Sequence, residues 1–169
     1  RVVTGGHLKL FSGSSAVGYS GSINIKTSDA MKQSGSVVVK SGVSRTATSG
    51  GMLFSTGKSF QNSGDIQMVA GSAVKGKGGS IVAKAGHGGT TGGSIELESG
   101  ASKYLSGGHV TIKSGKGETS SGSVFVQSGS SRSQSGGIVI AAGKSLSRSG
   151  SISMLVGKSA SGKGGDVSI

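Results

Sequence analysis

The chain has 169 residues, of which 35 are Gly and none is Cys, Pro or Trp, and its formal net charge is +12. The lack of cysteine excludes a disulfide framework and a thiolate metal site, and no apolar run approaches the roughly 18 residues of a membrane-spanning helix. Only 32% of the residues are hydrophobic and 4% aromatic, which is little material for a globular core and typical of flexible Gly/Ser-rich linkers.

A short phrase that recurs along the whole chain argues against a disordered linker. The phrase has eight positions: Gly first, apolar third and fifth, small seventh, and usually Gly eighth. Its third and fifth positions are apolar in all twelve copies, and its seventh is Ser, Thr or Ala except at Val156. The twelve copies begin at Gly6, Gly21, Gly35, Gly50, Gly64, Gly79, Gly93, Gly108, Gly122, Gly136, Gly150 and Gly165.

Each phrase has the pattern of a short β-strand. Apolar, often β-branched residues two apart, bounded by Gly and Ser, indicate a strand rather than a helix. Because side chains alternate between faces along a strand, the third, fifth and seventh positions would share one face. We expect that face to be buried, and the flanking glycines to permit positive φ where the chain turns.

The spacing of the phrases predicts the architecture. Successive first glycines lie 14 or 15 residues apart, mostly in alternation. Two turn lengths indicate two strands per coil of about 29 residues. The prediction is therefore an all-β fold, a flattened parallel β-solenoid of roughly six coils. A tighter solenoid with one phrase per coil is the rival, but it leaves the alternation of spacings unexplained.

Both ends of the sequence leave the predicted rod open. The chain starts at Arg1 without a Met or a signal peptide, and the last phrase stops at Ile169 in mid-strand. We expect residues 1–169 to be a single repeat segment of a longer chain or fibre. An open terminal coil offers unpaired backbone to which an identical unit can add.

Apolar residues at outward positions form a candidate lateral packing surface. In the predicted solenoid the fourth position of each phrase points out of the rod, and apolar side chains recur there in columns. Scattered exposed hydrophobic residues are also normal on protein surfaces, so both interpretations stay open. The candidates for lateral packing are Val38, Leu53, Val82, Phe125 and Val139.

Basic residues concentrate in every second turn. The turns at residues 14–20, 43–49, 72–78, 101–107, 130–135 and 158–164 carry seven positive charges and no acid. Stacked like charges cost free energy unless anions lie among them, which points to a polyanion. A solvated edge that discourages aggregation is the alternative. The candidates for polyanion binding are Arg45, Lys75, Lys77, Lys103, Arg132, Lys158 and Lys163.

The sequence supports no catalytic, metal or cofactor site. The three histidines, at positions 7, 87 and 109, occupy unrelated places in the repeat and have no cysteine partners. The one close carboxylate pair, Glu96 and Glu98, lies on one strand rather than across a cleft. Glycine-rich spacings such as Gly76–Gly79 precede no helix, so they predict neither a dinucleotide-binding turn nor a phosphate-binding loop. We expect no enzyme activity and no cofactor.

The phrases "GSVVVKSG", "GSIELESG" and "GSVFVQSG" resemble the Ser/Gly-rich repeats of predicted surface and extracellular proteins in diatoms and other algae. They are also similar to repeats in fibre proteins of marine phages and large viruses. The resemblance covers the chain from Gly6 onward and implies a repetitive rod that is secreted or displayed on a virion. It supplies no catalytic residue.

Two functions follow from the sequence. The first is a structural or adhesive segment of an extracellular or virion fibre, assembling with itself end to end and laterally. The alternative is a module whose basic turn edge binds an acidic polymer or mineral, such as an acidic polysaccharide, nucleic acid or silica. Neither function requires a membrane span.

Overall fold

The twelve phrases do not pair into β-strands. The computed structural model describes residues 5–169, and no residue in that range lies in a helix or a strand. The predicted all-β solenoid of two strands per coil is therefore wrong, and the tighter solenoid fails for the same reason. A parallel coil requires each phrase to hydrogen-bond to phrases one coil away. The backbone-to-backbone hydrogen bonds of the described residues instead close single loops.

The structure does retain the period of the repeat. The chain changes direction sharply between every two successive phrases, eleven times in the described range. Four of these bends, at 45–47, 74–76, 103–105 and 132–133, contain predicted basic residues within the bend itself. The eleven bends lie at 16–18, 31–32, 45–47, 60–61, 74–76, 89–91, 103–105, 118–119, 132–133, 146–147 and 160–162.

Five of the loops are closed by a backbone hydrogen bond at the same place in the repeat. The N–H of the first glycine of one phrase donates to the carbonyl oxygen of the last glycine of the phrase before. The N···O distances are 2.9 to 3.0 Å, as in ordinary amide hydrogen bonds. The pairs are Gly21 to Gly13, Gly79 to Gly71, Gly93 to Gly86, Gly108 to Gly100 and Gly122 to Gly115.

The first glycine of a phrase also lies against the seventh side chain of the preceding phrase. A Cβ placed on Gly79 would lie 3.1 Å from the Cβ of Ala70, and one on Gly35 would lie 3.2 Å from Cγ2 of Thr27. The contact occurs at ten of the eleven loops, at distances up to 4.0 Å, and Gly136 is the exception. The ten pairs are Ser12–Gly21, Thr27–Gly35, Ser41–Gly50, Thr56–Gly64, Ala70–Gly79, Ala85–Gly93, Ser99–Gly108, Ser114–Gly122, Ala142–Gly150 and Val156–Gly165.

This close approach explains the first-position glycine at three loops. At Gly35, Gly79 and Gly122, where the distance is 3.1–3.3 Å, a side chain at the first position would push the seventh residue aside, whereas at the other seven loops it would make ordinary van der Waals contact with that residue. Positive φ is not the reason for the glycines, because no glycine in the described range adopts it, and that expectation was wrong. Two loop glycines are required more strictly: a Cβ on Gly88 or Gly117 would collide with the carbonyl oxygen of Thr91 or Ser120.

Serine side chains cap seven of the eleven bends. In each, a serine two residues after the phrase accepts a hydrogen bond from a backbone N–H farther along the bend, as in the Ser/Thr turns of other proteins. Ser102, for example, accepts from the N–H of Leu105 at 3.0 Å. The seven capping serines are Ser15, Ser44, Ser59, Ser102, Ser131, Ser145 and Ser159. The four uncapped bends have Ala30, Ala73, Gly88 or Gly117 at the same place.

The two phrase spacings correspond to two kinds of cap. In the longer loops the N–H three residues after the serine donates, as from Gly18 to Ser15 and from Gly162 to Ser159. In the shorter loops the N–H two residues after it donates, as from Gln61 to Ser59. The alternation of 14 and 15 residues therefore reflects how each loop turns, and it requires no second sheet.

No core forms around these loops. None of the residues described is buried, and the chain exposes 18286 Å². A compact monomer of 16.3 kDa would expose about 7,500 Å², and the extended chain about 24,000 Å². Four of the few half-buried residues, Ser12, Thr27, Ala70 and Ser99, are seventh-position residues at the loop contacts. Burial in this chain is local to the loops.

The chain divides into two units, Arg1–Ala83 and Lys84–Ile169. The boundary lies inside the phrase that begins at Gly79, rather than in a loop. Each of the five hydrogen-bonded closures lies within one unit. Loop closure is therefore a property that the two units share.

Replacing Gly79 by Ala tests the close approach. The new methyl group, 3.1 Å from the Cβ of Ala70, forces the loop to shift and weakens the hydrogen bond from residue 79 to Gly71. Losing that bond is worth about 1 kcal/mol, so we expect the residue 79 amide to exchange about fivefold faster with deuterium. Gly136→Ala is the matched control, because nothing lies within 4 Å of its Cβ, and its loop should not change. Equal effects in both variants would contradict the steric explanation.

Ser102→Ala tests the side-chain caps. The variant leaves the N–H of Leu105 without its acceptor and loosens the bend at 103–105. We expect the amide-proton temperature coefficient of Leu105, measured by NMR, to become that of a fully solvated amide. Ser102→Thr keeps the hydroxyl and should retain the wild-type value. Ser106→Ala, four residues away in the same loop, serves as the control for loss of a serine.

Candidate functional site

One face of each phrase is apolar and free of charge. We define the rung face as the third, fifth and seventh positions of the phrase. No copy carries a charged residue at these positions, whereas the fourth and sixth positions carry seven charges. The seven are Lys9, Lys26, Lys40, Lys84, Glu96, Glu98 and Lys113.

The rung face is partly shielded but not covered. Third-position side chains are 49–59% exposed when a described loop precedes them, and Leu8, which has none before it, is 86% exposed. The large side chains at the fifth position, apart from the terminal Ile169, are 64–76% exposed. The loop that precedes a phrase therefore shields its third position, whether or not the loop is closed by the contact at the first glycine, and no second layer packs on the face in the described residues.

Two successive phrases of the first unit share an apolar cleft. Phe54, at a fifth position, and Ile66 and Met68, at the third and fifth positions of the next phrase, line a cleft of about 550 Å³ together with Gln67. Three of its four lining residues thus belong to the rung face. The loop between these phrases brings their apolar side chains to one opening, where a further apolar side chain can insert.

The five residues predicted for lateral packing are exposed. Val38, Leu53, Val82, Phe125 and Val139 are 70–89% exposed, more than any third-position residue that follows a loop. Val38, Leu53 and Val82 belong to the first unit, and Phe125 and Val139 to the second. The predicted columns depended on strand pairing, which residues 5–169 lack, so a lateral surface of these residues stays a prediction.

All seven residues predicted to bind a polyanion are exposed and lie in or beside alternate bends. Lys75 and Lys77 share one loop of the first unit, and Lys158 and Lys163 share one of the second. Arg45, Lys103 and Arg132 each lie in a loop of their own. The regular ladder of charges predicted for the solenoid edge has no pairing to align it in the described range, and binding by these residues stays a prediction.

The serine caps lie next to basic residues in six of the seven capped loops. Arg45, Lys103 and Arg132 directly follow Ser44, Ser102 and Ser131. The other three pairs are Lys58–Ser59, Lys144–Ser145 and Lys158–Ser159. A capped bend thus holds the backbone from which each basic side chain projects. Lys103 additionally lies over the ring of Tyr104, with its Nζ 5.2 Å from the ring centroid.

Neither a cluster of metal-ligand side chains nor a membrane-spanning helix is found in the described residues. Nowhere in residues 5–169 do three or more His, Asp or Glu side chains come together as metal ligands would. Likewise, that range contains no helix of the length and hydropathy needed to cross a bilayer. Glu96 and Glu98 are both exposed.

The capping serines are the functional element that the sequence interpretation missed. Their signal was present: the position two residues after each phrase is Ser seven times and Ala or Gly the other four times. A small residue at a fixed distance from the last glycine is the mark of a tight turn. The loops contain many other serines, so the fixed position of the capping serine was not recognised in the sequence.

Comparison with known proteins adds no relative. No protein-family model matches the chain, and neither a curated protein nor a solved structure matches it.

Proposed function

We propose that this chain is a structural or adhesive segment of an extracellular or virion fibre and that it associates with further copies of itself. The observation that carries the proposal is the rung face, which repeats in every phrase and is covered by nothing in the described residues. Exposed apolar surface of this extent is characteristic of proteins that bury it against a partner.

The repeat favours an identical partner. The rung face recurs every 14 or 15 residues. The surface that matches this spacing most simply is the rung face of a second copy, aligned phrase against phrase. Repeat proteins bury their apolar surfaces by stacking neighbouring units in this way. The extracellular or virion location is supported by the resemblance of the phrases to surface and fibre repeats.

Polyanion binding is a second candidate, favoured by the charge of the alternate loops. Seven Lys and Arg side chains project from loops that contain no acid, and the chain as a whole has a net charge of +12. Such a surface attracts acidic polysaccharides, nucleic acids or mineral surfaces such as silica. Lysine predominates over arginine among the seven. Because a Lys ammonium acts as a point charge, this composition favours attraction to negative charge over recognition of one particular anion geometry.

The two functions respond to salt in opposite directions. Self-association brings like-charged chains together, so raising the salt from about 50 to about 500 mM should screen their repulsion and lower the concentration for half-association. Polyanion binding should weaken over the same range, because counterion release becomes less favourable. Light scattering measures the first response, and elution from immobilised heparin the second. Self-association that weakens as salt rises would contradict the primary proposal.

A paired charge variant tests whether the candidate loops bind polyanions. Lys75→Gln with Lys77→Gln removes two charges from one candidate loop. The control, Lys144→Gln with Arg148→Gln, removes two charges from a loop outside the set. Both variants lower the net charge equally, so specific binding predicts that only the first reduces the slope of log affinity for heparin against log salt, by roughly two. Equal losses in both would show that net charge alone determines binding.

A further inference from the structure

We infer that the surface through which copies of this chain associate is the rung face, rather than the outward apolar residues of the fourth position. This inference rests on the proposed self-association and names the surface that performs it. The occupant of the rung face is a second copy of the same chain, set phrase against phrase.

The area that the chain leaves exposed is sufficient for such an assembly. Its 18286 Å² exceeds the surface of a compact monomer of this mass by about 10,000 Å². Stable obligate interfaces bury about 2,000 to 5,000 Å² in total. A chain with no buried residue therefore retains several times the surface that a stable assembly of two copies requires.

Charge distinguishes the rung face from the opposite side of the phrase. The third, fifth and seventh positions are apolar or small in every copy, whereas the fourth and sixth positions carry seven charges among them. Burying an unpaired charge costs far more free energy than a buried apolar side chain returns. In a chain with a net charge of +12, the uncharged face is the one that two copies can bring together.

The apolar cleft shows how the face receives a partner. Phe54, Ile66 and Met68, all rung-face residues, line an opening that no other side chain of the first unit fills. A third-position or fifth-position side chain of a second copy has the size and apolar character to enter it. Of the outward residues, Gln67 also lines the cleft, whereas the apolar Leu53, next to Phe54 in sequence, does not.

The backbone leaves the same phrases ready to pair. The described residues form five backbone-to-backbone hydrogen bonds, and eight more involve a side chain; all of them lie at loops. A folded chain of this length has on the order of one internal hydrogen bond per residue. The N–H and C=O groups of an extended phrase point to its edges, perpendicular to the rung face, so a phrase whose rung face is covered can also form backbone hydrogen bonds to a further copy at its edges.

Two variants of one phrase test the inference. Val124→Ser with Val126→Ser makes the rung face of residues 122–129 polar, and Phe125→Ser changes the side chain between them. Phe125 is larger and more exposed, at 87% against 51% and 70% for Val124 and Val126. The two valines together expose about as much apolar area as Phe125, so general hydrophobicity predicts effects of similar size, whereas the rung-face interface predicts a much larger effect of the double variant.

The measurement is sedimentation velocity over a range of protein concentrations in about 500 mM salt. We expect the double variant to raise the concentration for half-association tenfold or more, and Phe125→Ser to change it less than about twofold. The hydrogen bond from Gly122 to Gly115 should persist in both, so its amide protection shows that the local loop is intact. In wild-type assemblies, the amides of Val124 and Val126 should become protected.

The possible outcomes separate the two levels of the proposal. If wild type associates but Phe125→Ser impairs association as much as the double variant does, or more, the rung face is not the interface, although self-association stands. If wild type stays monomeric at every concentration, self-association itself is wrong, and the face is open to a partner of different sequence.

Discussion

The close approach between the seventh side chain of one phrase and the first glycine of the next is the contact on which the rest of the structure depends. At its closest, at Gly35, Gly79 and Gly122, it leaves little room for a side chain in place of the glycine. Five of the ten loops with the contact also form the backbone hydrogen bond, and the loop that ends at Gly136 has neither. The half-buried side chains of Ser12, Thr27, Ala70 and Ser99 all take part in this contact.

Closing a loop in this way organises the chain without giving it an interior. Each loop shields the third residue of the following phrase, yet leaves the rest of the rung face in water. Hydrophobic stabilisation depends on apolar area removed from water, and a single chain of this kind removes little. The net charge of +12 keeps separate copies apart, while the uncharged rung faces favour their contact. Assembly then depends on the balance between electrostatic repulsion of the chains and hydrophobic contact of their rung faces, and ionic strength shifts that balance.

The sequence predicted the position of every phrase and every loop, because both depend on local chemistry. The glycine of the first position and the small seventh residue were recognisable as a pattern, although the assigned cause, positive φ, was wrong. The alternation of apolar residues such as Val124 and Val126 shows which side of a phrase is apolar, but not what covers it. That missing information is why two facing sheets were predicted, although residues 5–169 contain no strand. The seven basic candidates lie in the predicted loops, yet their alignment depended on that sheet.

Every loop closure joins residues no more than nine positions apart. Contact order is consequently very low, so each loop can form within the time of local chain motion and without reference to distant segments. Because no closure involves a third phrase, a gene that gained or lost one repeat would leave every other loop as it was. The length of such a chain can therefore vary over generations by whole repeats, at no cost to the parts that remain.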